Sequence, residues 1–279
     1  MQSSLRLFFG KAADFPISFK NSAAFIASLE DIATNLNISQ LTVDNQVHGT
    51  AGRIVAKRPQ AQPIIIDYKS HDGDFLITSE RNIAIGVHTA DCLPLVFYAP
   101  DKHVIAVAHA GWRGSVAGIG TIVAQQLVAD FDIDMSKLLV FFGPAGGACC
   151  YEIKDDFITS LEQTLNIRSP FALWARPSTG SGRAATEDLI AESTPAHGEL
   201  VEPRPEGVEE RGLIIKRNGK LFFNNAKLNL QQLRAAGVDE KNIDISNNIC
   251  TICNHEYHSY RRSTDKNLYN TQATIAWLE

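Results

Sequence analysis

Three short stretches carry the residues best suited to chemistry. His109 opens His109-Ala-Gly-Trp-Arg-Gly114, which joins the apolar run Val104–Ala108 to a helical stretch from Ser115 to Val128. Cys92 closes His88-Thr-Ala-Asp-Cys92 ahead of the apolar run Leu93–Ala99, and His48 lies in Gln46-Val-His-Gly49. Each sits where a strand runs out into a loop, the place from which a rigid scaffold presents its ligands. Two imidazoles and a thiolate are a donor set for a catalytic zinc ion, which takes three protein ligands and keeps one position open. The net positive charge left on such an ion would acidify a water or hold a phosphate or carbonyl oxygen. The same donors would also accept copper. The glycine-rich turn adds free N–H groups and the positive end of a helix, which favour an anion. Gly111, Arg113 and Gly114 are therefore candidate substrate-binding residues. Asp91, the carboxylate nearest to Cys92 in sequence, is a candidate proton carrier.

Other roles fit the same residues. Cys92 suits a small buried hydrophobe beside Leu93-Pro94-Leu95, or a thiolate nucleophile with His48 or His109 as its base. Trp112 suits a plug over the turn, Arg113 a surface ion pair, and Asp91 a side-chain cap of its own turn. Cys149-Cys150 and Cys250-Thr-Ile-Cys253 would pack as free thiols or combine in a structural metal site, and the CxxC alone would also suit a redox pair. In a structural metal site the CxxC pair would need Cys149 or Cys150, or His255 and His258. Tyr260-Arg-Arg262 would hold a phosphate or cap a strand end.

The elements around these residues mix strands and helices without a clean βαβ alternation, which argues for an α+β fold. Strands are expected at Leu41–Val47, Pro63–Tyr68, Phe75–Thr78, Ile83–His88, Leu93–Tyr98, Val104–Ala108, Leu138–Phe142, Ile243–Ile249 and Ala273–Leu278. Pro94 places the fifth of these at an irregular or edge position. Helices are expected at 21–36, 115–128, 157–165 and 228–236, the last closed by Gly237. Residues about 172–212, with their Gly, Ser, Pro and Glu, read as a flexible surface insertion that includes His197. The rest reads as one domain spanning 1–279.

Composition narrows the class. The chain has 279 residues, 44% hydrophobic and 20% charged, with a net charge of −5. That balance offers no electrostatic footprint for nucleic acid or anionic lipid. No apolar run approaches the roughly 20 residues that span a bilayer. Leu5–Phe9 is too short for a secretory signal and is followed, not led, by Lys11. Five cysteines in three places suit a reducing cytoplasm better than a disulfide framework. Neither a GxGxxG nor a Walker loop is present.

Five motifs occur in the order found in the YfiH family, also called the laccase-domain, polyphenol-oxidase or peptidoglycan-editing-factor family. They are Gln46-Val-His-Gly49, Thr89-Ala-Asp-Cys-Leu-Pro94, His109–Gly114, Gly143-Pro144 running to Cys149-Cys-Tyr-Glu152, and Cys250-Thr-x-Cys253 with Ser259-Tyr-Arg-Arg262. The resemblance covers residues about 41–279 apart from the insertion. It implies stacked mixed sheets flanked by helices in an α/β/β/α arrangement, and a zinc site at His48, Cys92 and His109. It also implies purine nucleoside chemistry: phosphorolysis of adenosine, inosine, guanosine or methylthioadenosine, and adenosine deamination. Arg113 and Arg261 would then face the phosphate. Leu29 stands where the family pattern carries an arginine.

Three enzymatic functions follow as expectations, beside a non-catalytic scaffold that would hold zinc and turn over no nucleoside. The first is a cytoplasmic, zinc-dependent purine nucleoside enzyme, a monomer or small homo-oligomer, with nucleoside and phosphate as its partners. The second is a cysteine or zinc amidase acting on cell-wall precursors. The third is a copper-dependent polyphenol oxidase, disfavoured because a single His₂Cys centre lacks the electron store for four-electron reduction of oxygen.

Overall fold

Five strands among the described residues are buried at every position: β5 (Phe75–Thr78), β6 (Ile83–Thr89), β7 (Leu93–Ala99), β8 (Val104–Ala110) and β15 (Gln272–Leu278). A strand buried on both faces must lie between two apolar layers, and alternation decides which side chain meets which layer. Val96, Tyr98, Ile105 and Val107 turn inward and pack on Ile83, Ile85, Val87 and Leu278. Leu95, Phe97, Ala106 and Ala108 turn outward, onto α3 (Ile119–Phe131) and α4 (Asn225–Ala236). On the far side, Leu41, Val43, Ala84 and Ile275 take α1 (Ser22–Asn35) through Phe25 and Leu29. This computed structural model is therefore the expected α/β/β/α stack. It describes residues 4–15, 22–57, 64–154, 190–192, 212–266 and 269–279, together with Phe157 and Leu161.

One central sheet runs β14 (Ile243–Asp244), β9 (Leu139–Phe142), β7, β8, β5 (Phe75–Thr78), β3 (Gly52–Ile54). The other runs β1 (Leu5–Phe9), β15, β6, β2 (Gln40–Asn45), β4 (Ile65–Asp72). The C-terminal strand thus lies between the N-terminal strand and β6. The turn at residues 90–92 carries the chain from β6 in one sheet to β7 in the other.

A small third sheet, β10 (Glu152–Ile153), β13 (Lys220–Phe223), β12 (Ile214–Arg217), β11 (Ile190–Glu192), builds a satellite core around Tyr151, Leu213 and Phe223. Its hairpin turns on Asn218 and Gly219, with φ of 49° and 73°, the left-handed pair that a two-residue turn requires. β11 falls inside the stretch read as a flexible insertion and pairs in parallel with β12; the remainder of 172–212 up to residue 211, with His197, lies outside the described residues.

The structure amends three expectations. β7 is an interior strand between β8 and β9; Pro94 is tolerated because it stands at the strand's start, one residue before the first β9 partner, Leu95↔Phe142. The 115–128 helix is two helices, α2 (Trp112–Val116) and α3, broken by Gly118 at φ 84°. The 243–249 strand ends at Asp244, whose carboxylate accepts from the Ser246 N–H at 2.8 Å and turns the chain. Of the 157–165 helix only Phe157 and Leu161 lie within the described residues. No helix among the described residues is long and apolar enough to cross a membrane.

Candidate metal centre and adjoining cavities

Three segments from different parts of the chain meet at one end of the stacked sheets. The loop after β2 brings His48, the β6–β7 turn brings Cys92, and the end of β8 brings His109. One ligating atom from each lies within 4.8 Å of the other two. Cys92 Sγ is 3.9 Å from His48 Nε2, and the two imidazoles stand edge to face with centroids 4.8 Å apart. A zinc ion bonds nitrogen at about 2.0 Å and sulfur at about 2.3 Å, which sets tetrahedral ligand atoms roughly 3.3–3.8 Å from one another. The three side chains fit such an ion with only small adjustments.

The convergence depends on Asp74, a fully buried carboxylate at the start of β5. Its Oδ1 accepts from His109 Nδ1 at 2.8 Å and from the His48 N–H at 3.0 Å. Its Oδ2 accepts from the Gly49 N–H at 2.7 Å and the Val47 N–H at 3.3 Å. One carboxylate therefore fixes both the His48 loop and the His109 ring. With Nδ1 donating to Asp74, Nε2 is the nitrogen His109 presents to a cation, the carboxylate–histidine–metal arrangement. Burial opposes the charge on Asp74, but the His109 bond and the amides of Gly49 and His48 prevail and hold its carboxyl below the ordinary value.

The same balance acts on the ligands. Burial opposes a Cys92 thiolate, yet the charge of His109 and hydrogen bonds from His109 and His48 bring the thiol down to about 6. Burial also opposes an imidazolium at His109, yet Cys92 and Asp74 raise it to about 9. Cys92 is thus a thiolate at neutral pH, the form in which cysteine binds metal or attacks carbon. His48 and Asp91 hold left-handed backbone at φ 61° and 83°, rare for non-glycine residues and typical of functional turns.

Gly111 and Gly114 stand at close approaches. A Cβ on Gly111 would lie 3.0 Å from His48 Cδ2, 3.3 Å from Cys92 Sγ and 3.5 Å from His109 Cε1. A Cβ on Gly114 would lie 2.9 Å from the Gly49 carbonyl. Asp91 is buried, and its carboxylate accepts from Thr251 Oγ1 at 2.7 Å, Ser259 Oγ at 3.0 Å and the Arg261 N–H at 2.8 Å. Those bonds brace the turn that carries Cys92. Arg113 is exposed and lies over the Trp112 ring at 4.4 Å, and Trp112 packs on Phe157. Arg261 lies over the Tyr151 ring at 3.9 Å.

Two cavities open beside the three ligands. One of about 500 Å³ is lined by His48, Cys92 and His109 together with Lys69, Tyr260 and Tyr269. The other, about 800 Å³, meets the same His48 and Cys92 and runs past Trp112, Arg113, Tyr151 and Arg261. Sequence reasoning missed Asp74, Lys69 and Tyr269 as site residues, and placed Tyr260 only within the Tyr260-Arg-Arg262 run. The one local signal for Asp74 is Gly73-Asp74 ahead of the apolar Phe75–Thr78, which reads equally as a turn.

The family described as multi-copper polyphenol oxidoreductase laccase matches residues 20–191 and 197–279. The chain belongs to that family, the one its motifs resemble. Purine nucleoside phosphorylase of Borreliella burgdorferi is 26% identical over 246 residues, 84% of this chain and 86% of that one. Purine nucleoside phosphorylase YlmD of Geobacillus stearothermophilus is 36% identical over 138 residues, 48% of this chain and 49% of that one. The crystal structure of the Bacillus licheniformis protein YfiH shares the fold, with a TM-score of 0.66 at 19% identity, covering 93% of this chain and 82% of that one.

Two measurements follow. Asp74→Asn keeps the size of the side chain but removes the charge that fixes His109; zinc affinity, read by competition with a chromophoric chelator, falls about 10- to 100-fold, and unchanged affinity would contradict the role given to Asp74. In metal-stripped protein, iodoacetamide labelling of Cys92, followed by peptide mass mapping, reports the thiolate. Its rate is retained above about 6 and lost as pH falls through that value; an inflection near the ordinary thiol value of about 8.5 would show that the pairing with His109 is absent.

Proposed function

We propose that the chain is a metal-dependent purine nucleoside phosphorylase, with zinc held by His48, Cys92 and His109, and that it also deaminates adenosine. One observation carries the reading: three ligands of the right chemistry converge where two cavities with cationic and aromatic walls meet. The names of its relatives point the same way. Zinc suits the donor set as a closed-shell ion with no redox demand, and copper oxidation of phenols would need further electron-carrying centres. The chemistry a zinc ion supplies in such a site is Lewis acidity, which stabilises anionic oxygen and acidifies water.

In phosphorolysis a phosphate oxygen bonds to the anomeric carbon of the ribose while the carbon–nitrogen bond to the purine breaks. The bond's electron pair leaves with the base, which takes up a proton. Arg113 and Arg261 are proposed to orient the phosphate by charge-assisted hydrogen bonds. Tyr260 and Tyr269 line the smaller cavity and offer ring surface against which a purine would pack. Asp91, its oxygens engaged by Thr251, Ser259 and Arg261, is a positioning residue that fixes Cys92 and the Arg261 backbone against each other.

A second reading draws on a different observation. Cys92, His109 and Asp74 also form a thiolate–imidazole–carboxylate relay, the geometry of a cysteine nucleophile with its base and orienting acid. That supports an amidase, which would act without metal. Pure protein given adenosine with and without phosphate, after metal analysis, separates the readings. The proposal expects free adenine and ribose-1-phosphate only with phosphate, inosine in either condition, and loss of both after chelation. Metal-loaded protein that yields neither product, or product formation unchanged after chelation, would overturn it.

A further inference from the structure

We infer that Cys149, Cys150, Cys250 and Cys253 form a second, structural metal site that holds one zinc ion as a tetrathiolate. The inference does not depend on the proposed activity. The four sulfurs all lie within 4.8 Å of one another, and Cys149 Sγ is 3.9 Å from Cys253 Sγ. Four sulfurs around one zinc at about 2.3 Å would stand roughly 3.8 Å apart. All four thiols are free, and their mutual distances describe a cage about a shared centre rather than two bonded pairs.

The backbone is built to hold that cage. The bridge between Ala145 and Cys250 brings the two cysteine turns side by side, with Ala145 N–H on Ile249 O at 3.0 Å and Thr251 N–H on Ala145 O at 2.9 Å. The Gly147 N–H donates to Cys250 Sγ at 3.3 Å, an outer-shell bond of the kind that orients a metal ligand. A Cβ on Gly147 would press on the cage, 3.1 Å from Cys250 Cβ and 3.2 Å from Cys149 Sγ. Arg262 grips the CxxC turn from behind, donating to the carbonyls of Thr251 at 2.7 Å, Ile252 at 3.0 Å and Asn254 at 3.3 Å. Arg217 donates to the Ala148 carbonyl. A zinc tetrathiolate carries two net negative charges, and these two guanidinium groups offset them.

Four protein ligands leave no open position, so this site is structural where the His48–Cys92–His109 centre has a free face. Its product is a fixed turn. Thr251, inside the CxxC motif, donates to Asp91 Oδ1, and Gly146 N–H donates to the Asp91 carbonyl at 2.9 Å. A cross-link between the two cysteine turns would therefore hold the Asp91–Cys92 segment from both sides. The CxxC is completed by the adjacent pair and not by the nearby histidines: His258 Nε2 bonds to the Phe15 carbonyl at 2.8 Å.

The test uses the full chain carrying His48→Ala, which removes a ligand from the first centre and leaves the cysteine cage intact. Purified under reducing conditions, this variant is expected to retain about one zinc per chain and, on cobalt exchange, to show the sulfur-to-cobalt charge-transfer and intense visible bands of a tetrathiolate. Its melting temperature should fall on chelation and recover with zinc. In the wild-type background, Cys250→Ser with Cys253→Ser should remove one of two zinc equivalents; if that variant does not fold, the His48→Ala result decides alone. A folded His48→Ala protein with no tetrathiolate spectrum after cobalt loading, or a disulfide among the four cysteines on peptide mapping, would overturn the inference.

Discussion

A single buried carboxylate organises the site. Asp74 takes four hydrogen bonds, three from backbone amides of residues 47–49 and one from the His109 ring. A carboxylate removed from water is stable only when its lone pairs are satisfied, so Asp74 and its donors hold one another. Remove the charge and the loop loses its anchor, His109 loses the partner that fixes its tautomer, and the convergence with Cys92 has no reason to persist. The two sheets supply the rigidity against which this works, because β5, β6, β7 and β8 are buried throughout and cannot shift without opening the core.

The architecture explains why chemistry sits where it does. β6 and β7 belong to different sheets, and the turn between them crosses the gap at the end where β8 finishes. Backbone there is free of ladder pairing and able to take left-handed conformations, as His48 and Asp91 do. Cationic and aromatic residues from the 260–269 region and from α2 then wall the cavities beside it. The thiol clusters divide two tasks: one cysteine joins two imidazoles at the cavity mouth, and four lie behind the turn that carries it.

Much of this was legible in the sequence, for identifiable reasons. His48, Cys92 and His109 each flank an apolar run, and such runs announce strand ends. The α+β class followed from the mixture of short strands and amphipathic helices, and the layered α/β/β/α arrangement from the resemblance alone. Asp74 was not legible, since its partners lie some 25 to 35 residues away in sequence and a lone acid after glycine reads as a turn. The placement of β15 between β1 and β6 joins opposite ends of the chain, which local pattern does not encode. The hairpin at Asn218-Gly219 did carry a readable signal, because that dipeptide favours the left-handed turn the structure adopts. The break at Gly118 was hidden by apolar periodicity that continues across it.

The central claim is that Asp74 fixes His109 so that one cation meets His48, Cys92 and His109 together. Crystals of zinc-loaded protein measured at the zinc absorption edge test it directly. The account predicts an anomalous peak within bonding distance of all three side chains, with His109 Nδ1 still donating to Asp74. A peak bound elsewhere, or a His109 ring turned away from Asp74 while the metal is held, would contradict it.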